Sequence, residues 1–522
     1  MDLLKKNIHM DRIRSEAVTQ ITLEDDRNIP ESKPDVSNIN LEKAEIIIEE
    51  IKPGTDSVSL RGHMHFEILY HTQESGSSLV PFGGDIPFEE KLIMKGVMPS
   101  DTVEASGEVE DFSVGIINSR KLSIRSLVTL MASVEELYDE EAPIGIHGDG
   151  ASSDWLEYRK MPMQLAQIAI CKNDIFRIRD EVTLPANYPN IFRILWSTVH
   201  LGDVEFKVME EKLSIQGDVQ LFLLYEGEGE DRPVRSFETT MPFSGVLECH
   251  GCREGMLPDI HYVQGQQELT VRPDLDGEER CVGIELALDI HIRIYEEDTT
   301  EILSDIYGVT KEVHAQTHRV TLNRIRSCVT GKTKVTDHIR IPSGGAGILQ
   351  LLHSSARVAS MQQSTVENGI LLQGGILVKV MYITGDDANP YACVDAQIPY
   401  HYTLEVPGIS QDDTGKVHAE VEQLQVTMLD GEEMDVKAIL CFNTMVFEKV
   451  PMDLISQVEV TEPDSALMNS LPGMVIYVVK AGDNLWNIGR KYYVSVEKIR
   501  ELNNLGSDEL QVGQKLLIVK GG

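Results

Sequence analysis

Long apolar runs are missing from this chain: no stretch approaches the roughly 18 consecutive apolar residues of a membrane-spanning helix. The opening MDLLKKNIHMDRIRSEA also lacks the apolar centre of a secretory signal, so a cytoplasmic chain without membrane insertion is expected. Positive charge is scarce. Lysine and arginine number 47 against 84 aspartates and glutamates, a net charge of −37. So acidic a body repels nucleic acid and anionic membranes, which excludes both as partners. Cysteine is sparse as well. Cys171, Cys249, Cys252, Cys281, Cys328, Cys393 and Cys441 are odd in number and irregularly placed, which predicts reduced thiols and no disulfide framework. Catalytic signatures are wanting too: no GxSxG, P-loop or GxGxxG stands in a suitable context. Gly344-Gly345-Ala346-Gly347 lacks the Lys-Ser/Thr of a phosphate loop. Cys249-His250-Gly251-Cys252, with His261 nearby, supplies half of a zinc site at most, because no second CxxC follows. No enzyme, metal or cofactor is expected.

What the chain does have is repetition, and internal repeats decide the architecture before anything else. The stretch Leu60 to Tyr70 alternates: Val58, Leu60, Met64, Phe66, Ile68 and Tyr70 on one phase, Ser59, Arg61, His63, His65 and Glu67 on the other. A period of two buries one face of a strand and wets the other. The pattern returns at Leu213–Tyr225 and at Ile370–Tyr382, with a glycine on the apolar phase and a terminal tyrosine each time. Gly62 to Tyr70, Gly217 to Tyr225 and Gly374 to Tyr382 are each 8 residues apart. Pro87-Phe88, Pro242-Phe243 and Pro399-Tyr400 follow 17 residues after each tyrosine. Pro30, Pro185 and Pro342 precede them at the same offsets of 155 and 157. The recurring glycine points to close backbone packing or a bulge, and the tyrosines to the core.

Each unit opens with a short β-like run, a proline turn and an apolar run able to form a helical turn. Two alternating strands close it, with Asp276-Gly277 or Asp430-Gly431 as hairpin turns. The fold class is therefore mainly β: three tandem β-sandwich-like repeats followed by a small α+β domain. The boundaries read as repeats at 1–150, 155–312 and 313–455, a polar linker at 456–473, and a last module at 474–522. That last module holds seven basic against five acidic residues, a net +2, so the remainder carries −39.

From Met474 the pattern is strand–helix–helix–strand. Asp483 and Asn484 can cap a helix carrying Leu485, Ile488 and Tyr492 at helical spacing, and Ser495 can cap a second with Val496, Ile499 and Leu502. Tyr477-Val478-Val479, Gly482-Asp483, Leu485, Ile488, Tyr492, Ile499, Asn503, Leu510, Gly513-Gln514, Leu516 and Ile518 make this module resemble a LysM domain. The resemblance implies a shallow groove for N-acetylglucosamine-containing glycans. Carried over by position, Gly482, Asp483, Asn484 and Leu485 line one wall, and Asn503, Asn504 and Leu505 the other. Gly489 departs from the usual alanine, at a cost of about 0.5–1 kcal/mol of helix stability, and Asn484 stands where threonine is common. Replacing Leu485 or Asn484 by alanine is expected to weaken partner capture with folding intact. A single module makes a weak glycan site, because tandem copies supply avidity.

The repeats, with their proline openings, G…Y strands and IPF runs, resemble SPOCS domains. Three of these before one LysM resemble a family of spore-coat morphogenetic proteins. The resemblance implies a non-enzymatic scaffold in the mother cell, at the forespore surface and in the spore coat. Its implied partners are a coat-basement ATPase, contacted by the LysM module, and other coat proteins. The alternative is a protein directed to peptidoglycan or a cortex precursor through N-acetylglucosamine.

Overall fold

The computed structural model describes residues 2–72, 79–147, 155–342, 345, 347–386, 390–462 and 472–519. In the first repeat six strands follow one another: β1 Asp2–Asn28, β2 Asn38–Pro53, β3 Ser57–His71, β4 Leu79–Ile93, β5 Val103–Asn118 and β6 Lys121–His147. The second repeats the order with β7 Leu156–Thr183, β8 Ile191–Met209, β9 Lys212–Gly227, β10 Val234–Glu248, β11 Leu257–Pro273 and β12 Glu279–Gly308. The third does so with β13 Glu312–Arg340, β14 Ile348–Val366, β15 Gly369–Thr384, β16 Tyr391–Glu405, β17 Val417–Met428 and β18 Glu433–Thr461. Each repeat forms two antiparallel three-stranded sheets, ordered β1-β6-β5 and β2-β3-β4 in the first and alike in the others. Their facing sides enclose a core, most continuous in the second repeat, where Leu213, Ile215, Leu221 and Leu223 meet Ile284, Leu286 and Leu288.

The landmarks of the sequence fall at matching places. Lys33, Tyr188 and Gly345 donate their backbone N–H to Pro30, Pro185 and Pro342 at 2.9, 3.0 and 2.9 Å. Tyr70 and Tyr225 are fully buried, and their hydroxyls donate to the carbonyls of Pro34 and Pro189 at 2.9 and 3.2 Å. Each recurring glycine pairs across the sheet with the aromatic of the proline-aromatic run: Gly62 with Phe88, Gly217 with Phe243, Gly374 with Tyr400. On its other side the glycine meets a register shift in β2, β8 or β14. At Gly62 and Gly374 the bulged neighbour presses its backbone where a side chain would stand, and at Gly217 the Phe243 ring does so first. The prolines sit on β4, β10 and β16, outer strands of their sheets, where a missing N–H costs no ladder bond.

The three repeats close into a ring. Lys43 of the first donates to the Ser197 carbonyl of the second at 3.2 Å. Thr198 of the second bonds His353 of the third at 3.0 Å, and Lys379 of the third donates to the Glu42 carbonyl at 3.0 Å. Leu41, Leu69, Leu195, Trp196, Phe222 and Met381 fill the junction. A second shared cluster joins the long strands through Ile8, Met10, Leu165, Ile302, Leu322 and Leu454.

Several expectations are corrected here. The apolar runs after the proline turns are the strands β2, β8 and β14, with no helical turn. In β8 the alternation is lost because both faces are buried at its start: Ile194 packs against its own core while Leu195 and Trp196 enter the junction between repeats. The linker expected from 456 begins later, because β18 stays paired to β13 as far as Thr461 opposite Glu312. Residues 463–471 of that linker lie outside the described residues, as do Gly344 and Ala346 of the glycine cluster and 148–154 between the first two repeats. Cys249 and Cys252 are joined in a disulfide at the turn between β10 and β11, against the expectation of reduced thiols throughout. Gly251, at φ +87°, lets the turn bring both sulfurs into the core.

The last module is β19 Met474–Val478, helix α1 Leu485–Tyr492, helix α2 Val496–Leu502 and β20 Lys515–Val519, with β19 and β20 antiparallel. Val479, Leu485, Ile488, Val494, Ile499, Leu516 and Ile518 form its own core.

Candidate functional site

The two walls expected in the last module meet where Leu485 and Leu505 pack into its core. Gly482 turns at φ +87° ahead of α1. Asn484 is the N-cap, and its side chain accepts from the Asn487 N–H at 2.8 Å. The Asp483 carboxylate accepts from the Lys480 N–H at 2.8 Å and from the Tyr477 hydroxyl at 2.7 Å. Those bonds, the backbone one first, hold it below the usual 3.8. Asn503 pins the second wall. Its amide donates to the Ile499 and Leu517 carbonyls at 2.8 Å each, and its carbonyl accepts from the Leu517 N–H at 2.6 Å.

These bonds sort the seven expected residues. Asp483 and Asn503 spend their polar atoms inside the module. Leu485 is only 2% exposed. Alanine there opens a cavity costing about 2–5 kcal/mol, so Leu485→Ala does not leave folding intact as expected. Gly482, Asn484 and Asn504 are exposed and Leu505 is half-buried, so they remain open to a ligand. Asn504 adopts φ +49°, which asparagine tolerates better than most residues. The amide nitrogen of Asn484 and the backbone at the helix start offer donors for acetamido or hydroxyl oxygens, or for a peptide carbonyl.

A second surface of the module escaped the sequence. Trp486 and Arg490, one turn apart on α1, both reach Asp305 of β12. The indole N–H donates to Asp305 at 2.7 Å, and the guanidinium donates to both carboxylate oxygens at 3.0 and 3.1 Å. Tyr307 stands edge-on to the Trp486 ring with centroids 4.8 Å apart, and Arg159 lies over its face at 5.6 Å. The Tyr307 hydroxyl donates to the Val494 carbonyl at 3.0 Å. Burial pushes that phenol above its ordinary range, which keeps it the protonated donor. A Cβ on Gly489 would lie 2.6 Å from the Tyr307 oxygen and 2.6 Å from the Val494 carbonyl oxygen. The glycine that weakens α1 is what lets the module seat on the second repeat. This departure from alanine was the signal available in the sequence. The seat uses Trp486, Gly489 and Arg490, and leaves the Gly482–Asn484 edge exposed.

His261, considered beside the CxxC, faces elsewhere. Its ring lies 3.6 Å from that of His418 in the third repeat.

Comparison with known proteins agrees with this architecture. A family model described as SipL, SPOCS domain, matches residues 35–117, 190–268 and 347–429, and a LysM domain model matches 477–519. Curated relatives match through the LysM segment. A probable N-acetylmuramidase of Lactococcus lactis subsp. lactis (strain IL1403) is 50% identical over 42 residues, 8% of this chain and 10% of that protein. The probable peptidoglycan endopeptidase LytE of Bacillus subtilis (strain 168) is 50% identical over 40 residues, 8% of this chain and 12% of its own. The autolysin of Enterococcus faecalis (strain ATCC 700802 / V583) is 40% identical over 42 residues, 8% of this chain and 6% of its own. The chain thus spans about a tenth of the length of these relatives. No solved structure matches it.

Proposed function

From the premise that this chain belongs to the SPOCS-domain family, with three such domains and one LysM domain, we propose that it is a non-enzymatic scaffold of spore-coat assembly. It gathers coat proteins around the forespore from the mother-cell side. Its LysM module contacts the coat-basement ATPase. The observation that carries this reading is the seat on Asp305 and Tyr307, which fixes a lone binding module on a ring of repeats with its Gly482–Asn484 edge outward. A fixed, outward edge on a rigid body suits a bridge between proteins. SPOCS and LysM domains are binding modules, and no step of catalysis is assigned to them.

A second reading is favoured by one observation. The module is up to 50% identical to segments of peptidoglycan-directed proteins, so the same edge would take N-acetylglucosamine-containing glycan. A few net hydrogen bonds, at about 1 kcal/mol each, make that a weak site in a single copy.

Two substitutions probe the edge without breaking the fold. Asn484→Ser keeps a capping oxygen but removes the amide, and Asn504→Gly keeps the left-handed backbone but removes the side chain. The double variant is expected to retain at most about a tenth of wild-type capture of the coat-basement ATPase in pull-downs, equivalent to a loss of about 1.4 kcal/mol. Undiminished capture would move the contact onto the SPOCS repeats. Lost retention on chitin oligomers with undiminished ATPase capture would favour the glycan reading.

A further inference from the structure

Between the second and third repeats lies a cavity of about 880 Å³. Asp259 and His261 enter it from β11, two residues apart and so on one face of the strand. His418 enters it from β17 of the third repeat. The two imidazoles face each other with centroids 3.6 Å apart at 31°, and His261 Nε2 is 3.4 Å from an Asp259 oxygen. One donor atom from each of the three lies within 4.8 Å of the other two. Among the described residues no other three histidine, cysteine or carboxylate side chains converge in this way.

We propose that Asp259, His261 and His418 form a site for a divalent transition-metal ion, zinc by its donor set, that clasps the second repeat to the third. Two imidazoles and one carboxylate are a known zinc ligand set, with water free to complete a tetrahedron. Zinc–ligand bonds of about 2.0–2.2 Å place tetrahedral donors about 3.4 Å apart, a contraction that side-chain rotation supplies from the observed spacing. Hard cations such as Mg²⁺ prefer oxygen donors and are poorly served here. The cavity wall adds Asp203, Glu205, Glu420 and Glu422 against Lys207 and Lys332, so its field draws cations in. Of the cations near the triad, Arg293 is tied to Glu135 and Glu104 of the first repeat, while Lys416 stands near Asp259 and both histidines. Neither the CxxC nor the LysM module contributes, so the site is independent of partner capture.

The test is zinc titration of the full chain, stripped with a chelator, by calorimetry, with cobalt absorption as a second readout. The wild type is expected to bind one equivalent and to gain thermal stability on zinc addition. His261→Gln and His418→Gln, checked for folding by circular dichroism, are each expected to bind about 100-fold more weakly and to lose that gain. A Cys249→Ser/Cys252→Ser variant should bind as the wild type does, and Mg²⁺ should leave it unchanged. Absence of stoichiometric zinc in the wild type would overturn the proposal. So would wild-type binding by both histidine variants, loss that follows the cysteines instead, or equal binding of Mg²⁺.

Discussion

An alanine at Gly374 is expected to destabilise the third repeat by about 3 kcal/mol, read as a lowered midpoint in urea unfolding. The added Cβ would stand 1.9 Å from the Ser360 carbonyl oxygen and 2.9 Å from the Tyr400 hydroxyl. The first of these contacts is backbone, held in the β14–β15 ladder, and cannot swing aside. Gly62 is the equivalent position in the first repeat, with a Cβ only 2.1 Å from the Ile47 carbonyl oxygen, and a similar loss is expected there. Gly217 differs. Its nearest neighbours are atoms of the Phe243 ring at 2.9 and 3.0 Å, with the Gly202 carbonyl oxygen at 3.1 Å. A ring can turn, so Gly217→Ala should cost less. Gly473, with nothing within 4 Å, serves as control and should stay within about 0.5 kcal/mol of wild type. Equal effects at all four positions would contradict the idea that a bulged neighbour makes the glycine necessary.

Trp486→Ala is expected to release the LysM module from the second repeat while each remains folded. The indole supplies a hydrogen bond to Asp305, an edge contact with Tyr307 and a surface for Arg159. Losing such a central aromatic costs about 2 kcal/mol or more at an interface. A loss of that size shifts the seated module towards the detached state. Small-angle scattering should show a larger radius of gyration for Trp486→Ala than for wild type. Gly489→Ala should also unseat the module, through steric conflict with Tyr307, while its Cβ strains the module itself at the Val494 carbonyl oxygen. In an Asp305→Ala background, Trp486→Ala should add less than it does alone, since the two share a bond. The Asp305–Arg490 pair is partly exposed, so it contributes the smaller share. Unchanged scattering for both Trp486→Ala and Gly489→Ala would remove the seat from the account.

The repeats were legible because their landmarks are local. A glycine under a bulge, a tyrosine returning to its turn and a proline on an outer strand each leave a mark at fixed spacing. The LysM module was legible for the same reason. What the sequence hid is contact between distant segments. Leu195 and Trp196 obscured the alternation of β8 because their second face is buried by other repeats. Asp305 and Tyr307, neighbours on β12, lie far along the chain from Trp486, and only folding brings them to it. Within the candidate groove, residue type alone did not separate Asn484 and Asn504, which are exposed, from Asn503, which holds β20 through its side chain. The CxxC misled on its thiols because pairing depends on the tight turn at Gly251.

The scaffold reading stands or falls most directly on where the protein sits. A fluorescent fusion followed through sporulation is predicted to encircle the forespore on its mother-cell side, and to stay diffuse when the coat-basement ATPase is absent. Uniform labelling of the vegetative cell wall, unaffected by loss of that ATPase, would contradict it.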